Sequence, residues 1–147
     1  MRGTTITDLL VAVGIGGILL GLAVPNLAAL RAPYALRSAT TTLASDMAVA
    51  RMRAIAQNRR QRVQILADAG TWQLQQEVAP GNFQAVGGLR MLPNDLKFAG
   101  SDMNLIFNTR GMVNTPATLK VKGRSGTRTV LVNVLGQATI IHDTPQA

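Results

Sequence analysis

The sequence predicts an α+β fold, in which a long N-terminal helix with a transmembrane half and an amphipathic half packs on a small antiparallel β domain. Three observations predict it. Leu9 to Leu30 reads without a single charge over 22 residues. From Tyr34 to Arg60, apolar residues recur at steps of three and four, the period of one helix face. After Arg62 the period falls to two, the signature of half-buried strands, and turn residues punctuate the rest.

The first segment has the length of a bilayer crossing. At about 1.5 Å per residue, 22 helical residues span roughly 33 Å, against a hydrocarbon core of about 30 Å. Such a rod is either inserted in lipid or buried among other helices. Gly14, Gly16, Gly17 and Gly21 lie inside it. Each weakens a helix in water by about 1 kcal/mol relative to Ala. Gly17 and Gly21 also fit the spacing at which small residues let helices approach closely. Pro25 removes an intrahelical hydrogen bond and favours a kink, so Gly14–Pro25 is expected to be a weak helical zone. Asp8 stands at the rim of the run, and an acid beside an apolar helix carries a functional hypothesis of its own. Charge does not orient the segment, because Arg2 precedes it and Arg31 and Arg37 follow it.

The second segment places Leu36, Ala39, Leu43, Met47, Ala50 and Ala54 on one stripe, rich in Ala, with Arg37, Asp46, Arg51, Arg53 and Arg59 mostly off it. Pro33 predicts a second bend. Arg51, Arg53, Arg59, Arg60 and Arg62 put five guanidiniums within 12 residues. They are a solvated helix end suited to the C-terminal dipole, a polyanion patch, or a source of intersubunit ion pairs.

The third segment predicts strands at 63–66, 71–76, 89–92, 96–99, 104–107, 117–122, 127–135 and 137–141, with turns at 68–70, 80–82, 87–88 and 123–126. Leu119 and Val121 point to one face of their strand, Lys120 and Lys122 to the other. Trp72 and Phe107 are expected in the core. Residues 61–147 thus form one β domain, and with no cysteine in the chain its core must suffice without disulfides.

Composition excludes most chemistry. His142 is the single histidine, and there is no thiol, no nucleotide-binding fingerprint and no metal-ligand cluster. The reading is therefore no enzyme, no catalytic residue, no metal and no cofactor. The formal net charge is +8, which favours anionic partners such as nucleic acid or lipid headgroups.

The N-terminus carries a resemblance. Met1-Arg2-Gly3 precedes Thr4-Thr5-Ile6-Thr7-Asp8-Leu9-Leu10, and Ala23-Val24-Pro25-Asn26 follows. This resembles the signal of type IV pilins and pseudopilins, in which a short basic leader ends in Gly and an acid sits just before a pair of leucines. Thr4 stands where that family has Phe or Met. Ala50-Arg51, Ala54-Ile55 and the strand after them, with Phe107-Asn108-Thr109-Arg110-Gly111, are similar to the GspH/FimT minor pseudopilins. The resemblance implies a leader at 1–3, cleavage by a prepilin peptidase between Gly3 and Thr4 and methylation of the new terminus. It also implies an assembly and transmembrane helix at 4–30, an amphipathic helix at 31–60 and a periplasmic β domain at 61–147. It places the chain in the bacterial inner membrane with one pass, and in a type IV pilus or type II secretion pseudopilus after assembly. Other pilins or pseudopilins and inner-membrane lipid are the implied partners. Asp8, Gly17, Gly21 and Pro25 are the expected assembly residues, Asp8 by pairing with the Thr4 amine of a neighbouring subunit.

DNA uptake is the alternative reading. FimT-like members use a Gly-Arg-x-Arg turn, where this chain has Gly136-Gln137-Ala138-Thr139, so that site does not carry over. The hairpin residues Lys120, Lys122, Arg124 and Arg128, with Arg110 nearby, are the expected phosphate contacts, sequence-blind and salt-dependent. No aromatic residues interleave them, so base stacking is not offered.

Overall fold

Why one helix can serve two sheets follows from the residues on its stripe. The computed structural model describes residues 6–142, without the side chains of 19–30 and 142. Its elements are helix α1 (Ile6–Ala56) and strands β1 (Gln61–Leu66), β2 (Thr71–Ala79), β3 (Asn82–Ala85), β4 (Arg90–Met91), β5 (Lys97–Ala99), β6 (Met103–Phe107), β7 (Ala117–Gly123), β8 (Gly126–Val132) and β9 (Ala138–His142). Contacts divide the chain into two units, residues up to Ala32 and from Pro33 onward.

The first unit is helical from Ile6, with Asp8 in the first turn, where a carboxylate suits the positive end of the helix dipole. Ile6, Leu9, Leu10, Val11, Val13, Ile15 and Ile18 are all between 54 and 80% exposed. Among the described residues no helix is long and apolar enough to cross a membrane. The bilayer segment expected over 9–30 is described only in part, because its side chains at 19–30, Gly21 and Pro25 included, lie outside the described residues. So do Gly3 and Thr4 entirely. The weak zone Gly14–Pro25 is α-helical, and the helix assignment is unbroken at Pro25 and at Pro33, where bends were expected.

In the second unit the predicted stripe is the buried one. Leu36, Ala39, Leu43, Met47, Ala50 and Ala54 are each at most 7% exposed. Thr40 joins them, its hydroxyl donating to the Leu36 carbonyl at 2.9 Å, which satisfies the polar group in place. The helix stops at Ala56 rather than near Arg60. Asn58 takes a left-handed φ of 48°, and the Arg59 N–H reaches back to the Ala54 carbonyl at 3.3 Å. An Asn in that conformation is a helix stop with a physical cause, because its short polar side chain tolerates positive φ.

Two antiparallel sheets cover this stripe. One has the order β3-β2-β1-β6, with β4 also on β2; the other has the order β5-β7-β8-β9. Registers set the faces. Val63 opposes Leu74 and Leu105, and Ile65 opposes Trp72 and Met103, on the inner face of the first sheet. Val121 opposes Phe98 and Arg128, and Leu119 opposes Val130, on the inner face of the second. Trp72 and Phe98 meet edge to face at 6.1 Å, so the two sheets share one core with the helix. The sequence reading missed β3, because Pro80-Gly81-Asn82 reads as a break. Here Pro80 and Gly81 are the turn of a tight hairpin and Asn82 opens β3, the turn being closed by the Glu77 carboxylate accepting from the Gly81 N–H at 2.8 Å.

The sheets are locked together at one end. Phe107 bridges to Val113, and the Val113 N–H donates to the Val134 carbonyl at 3.0 Å. Gly111 and Gly136 let the two loops stack on the helix. A Cβ on Gly111 would lie 2.7 Å from Ile55 Cδ1, and one on Gly136 would overlap the Gly111 carbonyl oxygen. Gly136 also has a φ of 72°. Gly136→Ala is therefore expected to cost about 2–4 kcal/mol, from left-handed strain plus forced displacement of backbone. Gly81→Ala, at a φ of 79° with open space around it, should cost about 1 kcal/mol. Urea unfolding of the two variants checks the ranking.

Candidate assembly and anion-binding surfaces

Two surfaces follow from this fold, one apolar and one basic, with a structural ion pair between them in sequence. Of the expected assembly residues, Asp8 is exposed on the first turn of α1, and Gly17 is also exposed, with nothing within 4 Å of where a Cβ would stand. A helix surface of bare glycines among exposed aliphatics offers close approach to another helix.

The basic candidates do not form one patch. Lys120 and Lys122 project from the outer face of β7, as the alternation predicts, and both are exposed. Arg128 opposes Val121 and so belongs to the inner face, away from the two lysines. Of the expected phosphate contacts, Arg128 thus does not share the face of Lys120 and Lys122. The register of β8 decided it, and the loop length of the hairpin could not be read to one residue. Arg124, at the hairpin tip, lies 3.9 Å from Asp95. Arg110 lies outside the hairpin, seven residues before β7 begins at Ala117. It sits in the turn where Asn108 accepts from the Arg110 and Met112 N–H groups at 2.9 and 3.0 Å.

A residue the sequence reading passed over takes the vacant place. Lys97 on β5 opposes Lys122, and Ala99 opposes Lys120. Lys97, Lys120 and Lys122 thus share one outer face, and among the described residues none of them has an ion-pair partner. Alternation around Phe98 could have signalled this. The helix-end arginines disperse: Arg60 pairs with Glu77 at 3.1 Å, and Arg62 donates to the Gln75 side chain at 2.7 Å while covering the Phe83 ring at 4.4 Å. Arg51 packs beneath the Gly111 and Gly136 loops.

Between helix and first sheet sits Asp46. Its carboxylate accepts from the Trp72 indole N–H at 2.8 Å and pairs with Arg90 at 3.2 Å. This ties α1 to β2 and β4 through one charge-assisted contact. Among the described residues no group of three or more His, Cys, Asp or Glu could hold a metal ion.

Comparison with known proteins agrees with these features. The family model for the type II transport protein GspH matches residues 39–136, from the buried stripe of α1 to the locked Gly136 turn. The chain belongs to the GspH family. A curated relative, the pilin-like protein PilA1 of Thermus thermophilus, is 32% identical over 154 residues, covering 95% of this chain and 97% of its own. The fold is that of the minor pseudopilin EpsH of Vibrio cholerae, with a TM-score of 0.62 at 17% identity, over 72% of this chain and 95% of that one. It is shared with the type IV minor pilin FimU of Pseudomonas aeruginosa, with a TM-score of 0.60 at 20% identity, over 73% and 88% of the two chains. As a GspH-family chain it is a structural pilin-like protein and not an enzyme.

Within this GspH fold the Asp46 contact holds weight that surface pairs do not. Asp46→Ala should destabilise the domain by about 1–3 kcal/mol, because it strips a buried indole N–H of its acceptor. Asp95→Ala, which removes an exposed partner, should change stability by less than about 0.5 kcal/mol. Denaturant unfolding followed by tryptophan emission measures both.

Proposed function

We propose that this chain is a minor pilin or pseudopilin subunit that enters a type IV pilus or type II secretion pseudopilus by packing of its N-terminal helix. The observation that carries the reading is the row of exposed aliphatics from Ile6 to Ile18, which no other part of the described chain covers. Apolar surface of that extent is stabilised only by lipid or by other helices. In this reading a prepilin peptidase cuts between Gly3 and Thr4, and methylation of the Thr4 amine follows. The subunit waits in the inner membrane with its β domain in the periplasm. Gly17, Gly21 and Pro25 then let the helix pack closely and bend. Asp8 pairs with the Thr4 amine of a neighbour, and such a pair in apolar surroundings sets register because leaving either charge alone is costly. Asp8→Ala should lower incorporation into filaments at least tenfold in a pull-down of sheared fibres. Incorporation equal to wild type would end the pairing idea, and an intact mass that retains Met1 in a peptidase-bearing host would end the processing step.

A second reading is favoured by one observation, the acid-free face of Lys97, Lys120 and Lys122. On it a DNA phosphate backbone lies across β5 and β7 and meets the three lysines, while Arg124 stays with Asp95. With three contacts, the logarithm of affinity should fall with the logarithm of salt at a slope of roughly −2.7. Replacing Lys120 and Lys122 by Ala should reduce that slope to roughly −0.9. A gel-shift salt series reads both, and absence of any shift at low salt excludes the receptor.

A further inference from the structure

The seam between α1 and β2 contains a cavity of about 450 Å³. That volume is within the range of small-ligand sites. Along the helix its wall is Asp46, Val49 and Arg53, spaced i, i+3 and i+7, so the groove follows one helix face for about 10 Å. Trp72 and Leu74 form the opposite wall, and Gly87, Gly88 and Leu89 form the rim. The two charged ends differ. Asp46 is neutralised by Arg90 at 3.2 Å and by the Trp72 indole at 2.8 Å. Arg53 has no carboxylate partner among the described residues. Its guanidinium makes one hydrogen bond, a long one of 3.5 Å to the Val86 carbonyl.

We infer that this groove binds an apolar peptide segment ending in a free carboxylate, with the carboxylate on Arg53. A guanidinium offers a planar fork of donors that matches a carboxylate in two parallel bonds. The walls between the charged ends are aliphatic and aromatic, so the body of the occupant is apolar. The rim identifies it as a peptide. The β3 side of β2 ends with the Val86 N–H donating to the Leu74 carbonyl at 2.9 Å, and the β4 side begins at Trp72, so residues 87–89 loop out between them. Between them the N–H groups of Gly87, Gly88 and Leu89 make no backbone hydrogen bond among the described residues. A peptide laid along this loop finds those donors for its carbonyls. An alkyl chain has no use for them.

Trp72 is the single tryptophan of the sequence and lines the groove, so its emission reports occupancy. The full chain in micelles is titrated with acetyl-Leu-Val-Leu bearing a free carboxyl group, with the same tripeptide amidated at its C-terminus, and with decanoate, against micelle blanks. The free acid is expected to shift the emission saturably and to bind at least tenfold more tightly than the amide. Arg53→Gln should abolish that advantage and Arg53→Lys should keep part of it, both with the unfolding midpoint of wild type. No saturable shift, equal affinity for acid and amide, or decanoate binding as tightly as the peptide acid would each overturn the inference.

Discussion

One helix face must satisfy two sheets. The stripe from Leu36 to Ala54 mixes large residues with small ones, and three of its seven buried members are Ala. Small side chains let the strands come near the helix axis, while Leu43 and Met47, both fully buried, fill the space between the sheets. The Trp72–Phe98 contact then closes the core where the sheets diverge. Everything placed on the outside depends on this arrangement. The lysines of β5 and β7 face outward because Phe98 and Val121 face the helix. The seam beside Asp46 stays open because that sheet ends in two short, separate strands.

The part of α1 from Ile6 to Ile18 is under the opposite constraint. Its aliphatics have no such partner in the described chain, so its apolar area contributes nothing to the stability of the isolated molecule. The β domain keeps a core of its own, built without a disulfide. A subunit arranged this way can leave its helix uncommitted until another surface covers it.

The sequence made the helix stripe legible to the residue, because a period of 3.6 over some twenty residues leaves few alternatives. The alternation of β7 was equally plain at Leu119, Lys120, Val121 and Lys122. What was hidden depended on contacts far apart in sequence. β3 looked like a break because turn residues precede it, and nothing local shows that Glu77 closes that turn. The inward placement of Arg128 depended on the register of β8, which a one-residue shift reverses. Lys97 stood alone in sequence and became part of a cluster only through pairing with β7. The trio Asp46, Trp72 and Arg90 spans 44 residues of chain and carries no local pattern at all.

Charge placement distinguishes the faces of the β domain further. Asp46, Glu77 and Asp95 are each held by an arginine, and Asp102 accepts from the Ala67 N–H at 2.7 Å. Asp46, Glu77 and Asp102 are thus engaged within the domain, while Lys97, Lys120, Lys122 and Arg110 remain on its surface without ion-pair partners among the described residues. Two copies of such a domain placed side by side bring like charges together, a cost that salt screens over about 8 Å under physiological conditions. A neighbour with acids on its flank removes that cost. The face of Lys97, Lys120 and Lys122 therefore opposes close contact with the same face of an identical copy.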